Sequence, residues 1–402
     1  MNTIKEDAMK STKSKWRSVL MPLFLFVLLF TVTACGGQNK SGEKAAGTEG
    51  KKTVTVWASG SDNVRVQFDE QIKTFNAAQD KYEAKLEFIT SGTGAQSLMD
   101  KILAAKKAGK ANTDFDVVEM GGEEINNYLK EGGKDLFVPL DDKQLTNKSE
   151  LQFEAPTNTD KFIPYRGTTV VLAYNSEKVA NPPKTAKQLY DWIKANPGRF
   201  AYNTPDSGGA GGSFVVTSVY NFLDKEALNS TDSEMAKQWD KGFALLKDLH
   251  SSLYQSSGKV VYPNKNQGAL DLLSSGEIDM TPMWADMLLS GKKKGTVPAS
   301  IQMSQIDPAF TGNVVVLGIP SMSQNQEGAH AFLNYMISAQ AQNIALDSMA
   351  AIPVIDFAKL DPKLLEAIKG LQIKEFRASN IGSDLSKALN DRWTREISVL
   401  SK

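Results

Sequence analysis

Between residues 53 and 122, short β-branched runs and helix-spaced apolar residues take turns, and each run ends in small or glycine-rich sequence. Thr53-Val54-Thr55-Val56-Trp57 is followed by Phe68, Ile72 and Phe75 at helical spacing, then by Leu86-Glu87-Phe88-Ile89 and the turn Ser91-Gly92-Thr93-Gly94. A helix carrying Leu98, Ile102 and Leu103 comes next, and Asp116-Val117-Val118-Glu119-Met120 runs into Gly121-Gly122. This alternation of pattern predicts strands joined by crossover helices, and hence an α/β protein with an open, mainly parallel sheet. Such sheets bind ligands beyond the C-terminal ends of their strands. Trp57 and Ser59, Gly92 and Thr93, and Glu119 fall at or just past such ends and are the first candidate site residues.

The body from residue 53 to 402 exceeds the length at which a single core stops growing, so two lobes are expected. Phe162-Ile163-Pro164-Tyr165-Arg166-Gly167-Thr168-Thr169-Val170-Val171-Leu172-Ala173-Tyr174-Asn175 is a long extended run broken by proline and glycine. Lying after one complete α/β unit, it suits a strand that crosses between lobes, with Tyr165 and Arg166 at the passage. A second lobe is expected to follow, with a helix over 187–195, a strand over 199–203, a helix over 213–223, further helices near 245–249 and 270–273, and a strand over 278–284. The chain should cross back through 300–304 and rejoin the first sheet at 313–318. The expected boundaries are lobe I over 53–166, lobe II over 167–300, a return segment over 301–340 and a C-terminal helical segment over 341–402.

Ahead of this body, Lys5, Lys10, Lys13, Lys15 and Arg17 precede the apolar stretch 19–30, the layout of a secretory signal. That stretch is shorter than the roughly 20 apolar residues of a spanning helix. Val32-Thr33-Ala34-Cys35 resembles a bacterial lipobox, which implies cleavage after residue 34 and lipidation of Cys35. Several acyl chains, at about 0.8 kcal/mol per buried CH₂, would hold the protein on a membrane surface. Cys35 is the only cysteine, so neither a disulfide nor a cysteine metal site is available to the body. Residues 38–52, rich in Gly, Ser, Lys, Glu and Ala, read with Cys35 as a flexible tether over 35–52. The 46 Lys+Arg and 46 Asp+Glu of the whole chain lose five and two to residues 1–34, which leaves 41 against 44. No basic excess remains for nucleic acid.

Enzyme signatures are missing. The two histidines, His250 and His330, lie in helical patterns without a Ser/Asp partner, and no Walker A, His-Glu-x-x-His or EF-hand run occurs. Carboxylates such as Glu123, Glu124, Asp206 and Asp286 are the remaining catalytic possibility, so a secreted carboxylate-dependent hydrolase stays open as an alternative. Thr204-Pro205-Asp206-Ser207-Gly208-Gly209-Ala210-Gly211-Gly212-Ser213 lies between a predicted strand and a predicted helix. It reads either as a close-approach loop whose helix start favours an anion or a sugar hydroxyl, with Asp206 and Ser207 at the ligand, or as a turn capped by Ser213. Met283-Trp284-Ala285-Asp286-Met287 sets an aromatic face and a carboxylate two residues apart, suited to one cationic group. The plainer alternatives are a packing tryptophan and an N-capping aspartate.

Taken in order, the lipobox, the strand at 53–57, Asp116-Val117-Val118, the run ending Tyr174-Asn175, Leu272-Leu273-Ser274-Ser275-Gly276-Glu277-Ile278-Asp279 and Gly328-Ala329-His330-Ala331-Phe332-Leu333-Asn334-Tyr335-Met336 resemble an extracellular solute-binding lipoprotein of an ABC importer. The resemblance implies the two-lobed, type II periplasmic-binding-protein fold, each lobe an open mainly parallel sheet flanked by helices, with the lobes joined by crossing strands. It also implies a monomer without cofactor or resident metal, lipid-anchored on the extracytoplasmic face, whose partners are a small solute and the transmembrane subunits of a permease. Trp284 and Asp286 are similar to the pair that holds an ammonium group in polyamine-binding members, with Trp57 as an opposing face. Only Asp206 loosely matches the further acidic residues of that pattern, so thiamine, iron, organic-anion, phosphonate and sugar ligands stay open.

Overall fold

The computed structural model describes residues 50–90, 96–371 and 377–401. Its strands are β1 (Lys52–Gly60), β2 (Tyr82–Thr90), β3 (Val117–Gly121), β4 (Phe162–Asn175), β5 (Gln255–Ser256), β6 (Lys259–Val260), β7 (Met280–Trp284), β8 (Ile301–Ser304) and β9 (Gly312–Gly318). The opening alternation forms a parallel unit, with β1 paired to β2 on one side and β3 on the other. Val54, Val56 and Ala58 alternate into the core of this unit. The helix Asp62–Ala78 covers it with Val64, Phe68, Ile72 and Phe75, spaced three or four residues apart.

The main sheet runs β2-β1-β3-β9-β4-β7, with β8 also paired to β4. β4 belongs to both lobes. Its residues 162–169 pair with β9, and residues 170–175 pair with β7 and β8. The parallel pairing holds for β2-β1-β3, whereas β3-β9, β9-β4, β4-β7 and β4-β8 are antiparallel. A strand that leaves the first lobe and one that returns to it run in opposite directions, so the crossing region cannot be parallel. In the second lobe, among the described residues, parallel pairing is confined to isolated bridges such as Thr185 with Asp307 and Phe200 with Met280, and the strand expected over 199–203 is reduced to the latter.

β8 pairs with Leu172–Asn175, and the chain rejoins the first sheet with β9 from Gly312, at the run expected over 313–318. Two large apolar cores lie on the two halves of β4. One gathers Phe68, Phe75, Leu317, Phe332 and Met349, and the other Phe200, Phe214, Trp239 and Phe243. The last two long helices divide between them: Ala339–Met349 packs on the first, while Gly382–Glu396 puts Leu385, Leu389 and Trp393 into the second.

The register of β4 against β9 shifts between Pro164 and Arg166. Proline has no N–H for the ladder, and a bulge absorbs the missing bond while re-aiming the next side chains. Consecutive strand residues normally point to opposite faces. Here Tyr165 and Arg166 both reach the same carboxylate, Glu119 of β3.

Candidate ligand cleft

Two adjoining cavities, of about 820 and 270 Å³, open between the lobes and share Ser59, Asn63, Glu119, Glu124, Gly208 and Asn266 in their walls. The first lobe contributes the C-terminal ends of β1 and β3 together with the first turn of helix Asp62–Ala78. The second contributes the glycine loop, the loop before helix Lys265–Ser274, and the start of helix Ala285–Lys293.

The floor of the smaller cavity is built on charge. Arg166 Nη2 lies 3.2 Å from Glu119 Oε1, its Nε donates to the Tyr165 hydroxyl at 2.9 Å, and that hydroxyl lies 3.3 Å from the same carboxylate oxygen. The backbone N–H of Ser59 approaches the other oxygen at 3.5 Å. Burial pushes Glu119 above the ordinary carboxylate value, and the attraction of Arg166 offsets this only in part. Burial by itself would lower Arg166, but Tyr165, Glu119 and Asp286 hold it above its usual value.

Asp286 is likewise buried, in the first turn of its helix. It accepts from Asn63 Nδ2 at 3.0 Å and from Thr168 Oγ1 at 3.2 Å, so it joins the first lobe, the crossing strand and the second lobe. Burial raises its pKa against the field of Arg166.

Glu123 and Glu124 complete the floor on the short turn after β3. Gly121 N donates to Glu124 Oε2 at 2.9 Å, and the Glu123 carboxylate lies over Gly121, 2.5 Å from where a Cβ would stand. Both carboxylates are exposed to cleft water. The surrounding protein thins that water, and together with the like charge of Glu124 it pushes Glu123 up to about 8. A carboxyl raised above its unfolded value of 4.5 favours folding most while protonated. Stability should therefore be greatest below that value, decline as pH rises toward about 8, and level off above it. Glu123→Gln should remove this part of the decline in urea unfolding between pH 5 and 8; identical pH slopes in the two proteins would mean that Glu123 is ionised throughout.

The glycine loop is a wall whose helix start is closed. Gly208 and Gly209 take φ of +105° and +93°, which only glycine adopts without strain. Gly211 is required for packing, since a Cβ there would stand 1.8 Å from the Asn203 carbonyl oxygen. At the start of helix Ala210–Tyr220, the Ala210 and Gly211 N–H groups donate to Asn266 Oδ1 at 3.2 Å and Asn203 Oδ1 at 2.8 Å. Two of the donors expected to greet an anion are therefore occupied by side chains. Ser213 does not cap this helix; it sits inside it, its Oγ accepting from Thr311 N at 2.8 Å.

Ser59, Glu119, Asp206 and Ser207 line the larger cavity, and Ser59, Glu119, Arg166, Trp284 and Asp286 line the smaller. Gly92 and Thr93 lie outside the described residues. Two of the expected residues, Trp57 and Tyr165, stand outside the cavity walls. Trp57 lines neither cavity: its indole donates to Asp114 O at 3.1 Å, and its ring packs on Phe115. β1 continues three residues past Trp57, so the strand end expected there is at Gly60. Tyr165 is fully buried against Phe68 and reaches the cleft only through Glu119 and Arg166. Arg166 borders the smaller cavity, but with Nε and Nη2 already paired it is a poor clamp for an anion.

Asn63, Thr168, Lys265 and Asn266 were not singled out from the sequence. Asn63 was within reach, because it follows Ser59-Gly60-Ser61 at a strand end; the others become cleft residues only through tertiary contacts. Among the described residues no three His, Cys, Asp or Glu side chains are placed to hold a metal ion, and no helix is long and apolar enough to cross a membrane.

A two-lobed α/β body with a polar cleft between its lobes is the architecture of a solute-binding protein. Residues 70–369 match the family model described as bacterial extracellular solute-binding protein, and the chain belongs to that family. No curated protein sequence matches it significantly. Among solved structures it is similar to a periplasmic thiamin binding protein, with 17% identity and a TM-score of 0.62 over 86% of this chain and 96% of that one. It is also similar to the apo ferric ion-binding protein A of Pasteurella haemolytica, with 14% identity and a TM-score of 0.62 over 87% and 99%. A GABA receptor gives 18% identity and a TM-score of 0.62 over 86% and 96%.

Proposed function

We propose that this protein is the lipid-anchored receptor of an ABC importer, and that it captures a small cationic amine, polyamine-like in character, between its lobes. One observation carries the choice of ligand charge. The smaller cavity is bordered by Glu119, Glu123, Glu124 and Asp286 against one guanidinium, Arg166, which is itself paired with Glu119. An ammonium group entering there meets carboxyl groups that outnumber the cations, and by favouring the ionised form of Glu123 it would gain charge-assisted hydrogen bonds. The Trp284 ring borders the same space. The occupied start of helix Ala210–Tyr220 speaks against an anion. Ligand contacts from both lobes favour the closed form by their differential affinity, and release to the permease follows when that form opens. The ligand leaves unchanged, so no enzymatic step is assigned.

A thermal-shift screen of polyamines, thiamine-like cations, organic anions, phosphonates and sugars tests the reading. Cations should raise the melting temperature by mass action and, in small-angle scattering, reduce the radius of gyration. Hits confined to anions or sugars would reverse the assignment. Anchoring is tested separately through Cys35→Ser, which should abolish incorporation of labelled fatty acid and release the protein from the membrane. Normal retention of that variant would defeat the lipoprotein assignment.

A further inference from the structure

The indole N–H of Trp284 does not face the cleft. It donates to Gly208 O at 2.8 Å, and the side-chain amide of Asn266 donates to the same oxygen at 2.6 Å. A carbonyl oxygen has two lone pairs, and both are then in use. Asn266 Oδ1 meanwhile accepts from Ala210 N, so one side chain grips the loop on both sides of Gly209. The Trp284 ring is wedged beneath, its Cζ2 3.0 Å from the position of a Cβ on Gly209.

These contacts belong to a larger cross-link. Thr204 N donates to Pro263 O at 3.0 Å, Lys265 N donates to Ser207 Oγ at 3.0 Å, and Lys265 itself sits at φ +61°, unusual for a residue with a side chain. The loops 204–210 and 263–266 therefore form one cleft wall, and that wall carries Asp206, Lys265 and Asn266 into the larger cavity. Glycine pairs are conformationally broad when unrestrained. Something must narrow them if the wall is to meet a solute in one shape.

We propose that Trp284 and Asn266 are positioning residues that fix the Gly208–Gly209 wall of the cleft, Trp284 acting through its indole N–H in addition to any contact of its ring with the solute. The proposal rests on the cleft being the solute site. Its physical content is preorganisation: the ordering of the wall is completed in the empty protein, so the solute does not have to supply it on binding.

The decisive variant replaces Trp284 by 3-benzothienylalanine, which keeps the bicyclic ring and deletes only the N–H donor. Trp284→Phe and Asn266→Ala are genetic counterparts. In the empty protein, hydrogen exchange over residues 204–212 should rise several-fold in each variant while the strands of the second-lobe core keep their protection. With 1,4-diaminobutane as the probe in calorimetry, the dissociation constant should increase five- to tenfold for the 3-benzothienylalanine protein. Unchanged exchange over 204–212 would overturn the holding role, and faster exchange with unchanged affinity would overturn its link to binding. Absence of 1,4-diaminobutane binding in the parent protein would instead count against the cationic ligand, and the exchange comparison would still decide whether the wall is held.

Discussion

Arg166→Met will destabilise the protein by about 3–5 kcal/mol at neutral pH, the cost of leaving one member of a buried ion pair without its partner. Arg166 and Glu119 are both nearly inaccessible, at 6% and 5% exposure, so water cannot take the place of the lost guanidinium. Methionine fills much of the same volume, which separates loss of charge from loss of packing. Glu119 is already raised by burial, and without Arg166 it should shift further and be held protonated over a wider pH range. The loss should therefore shrink on acidification. Adding Glu119→Gln to Arg166→Met should recover part of it, since a neutral amide needs no counter-charge. Urea unfolding at pH 7 and pH 5 measures both effects. A loss below about 1 kcal/mol would place the pair among interactions that contribute little, as exposed ion pairs do.

Asp286→Asn should weaken binding of a cationic solute by roughly 1.5–3 kcal/mol, the range for a hydrogen bond to a charged group. In dissociation constant this is about a tenfold to a hundredfold increase. Folding should survive the change. Asn63 can turn its amide to match the new partner, Thr168 can still donate, and a carboxylate held in a poorly hydrated site is removed. Calorimetry with the strongest cation from the ligand screen measures the effect. Affinity unchanged within twofold would make Asp286 a structural bridge between Asn63 and Thr168 with no share in the ligand.

The sequence by itself determined the α/β class, the crossing run at 162–175 and the end of a β-strand at Trp284, because each is written in local periodicity. It also carried the leader pattern ending at Cys35, which lies outside the described residues. A strand shows its residue types and alternation directly, and glycine-rich ends mark where it stops. What alternation does not show is how far the strand continues: β1 runs on to Gly60, and the half-buried indole of Trp57 packs on Phe115 outside the cavity walls. Neither does it show a bulge. Tyr165 and Arg166 would face opposite sides of a regular strand, and only the register shift after Pro164 turns both toward Glu119.

The tertiary structure decided the charge of the cleft. Glu119, Glu123 and Glu124 come from the end of one strand and the turn after it, Asp286 comes from a helix start more than 150 residues later, and Arg166 comes from the strand between the lobes. Their separations depend on how two lobes meet, which no local pattern encodes. The glycine run shows the same limit: its composition allowed an anion site, but the partners that occupy its helix start, Asn203 and Asn266, are fixed by long-range packing. Electrostatic free energy depends on distance and on the water that remains between charges. A linear sequence specifies the charges, and only the folded chain sets both of those quantities.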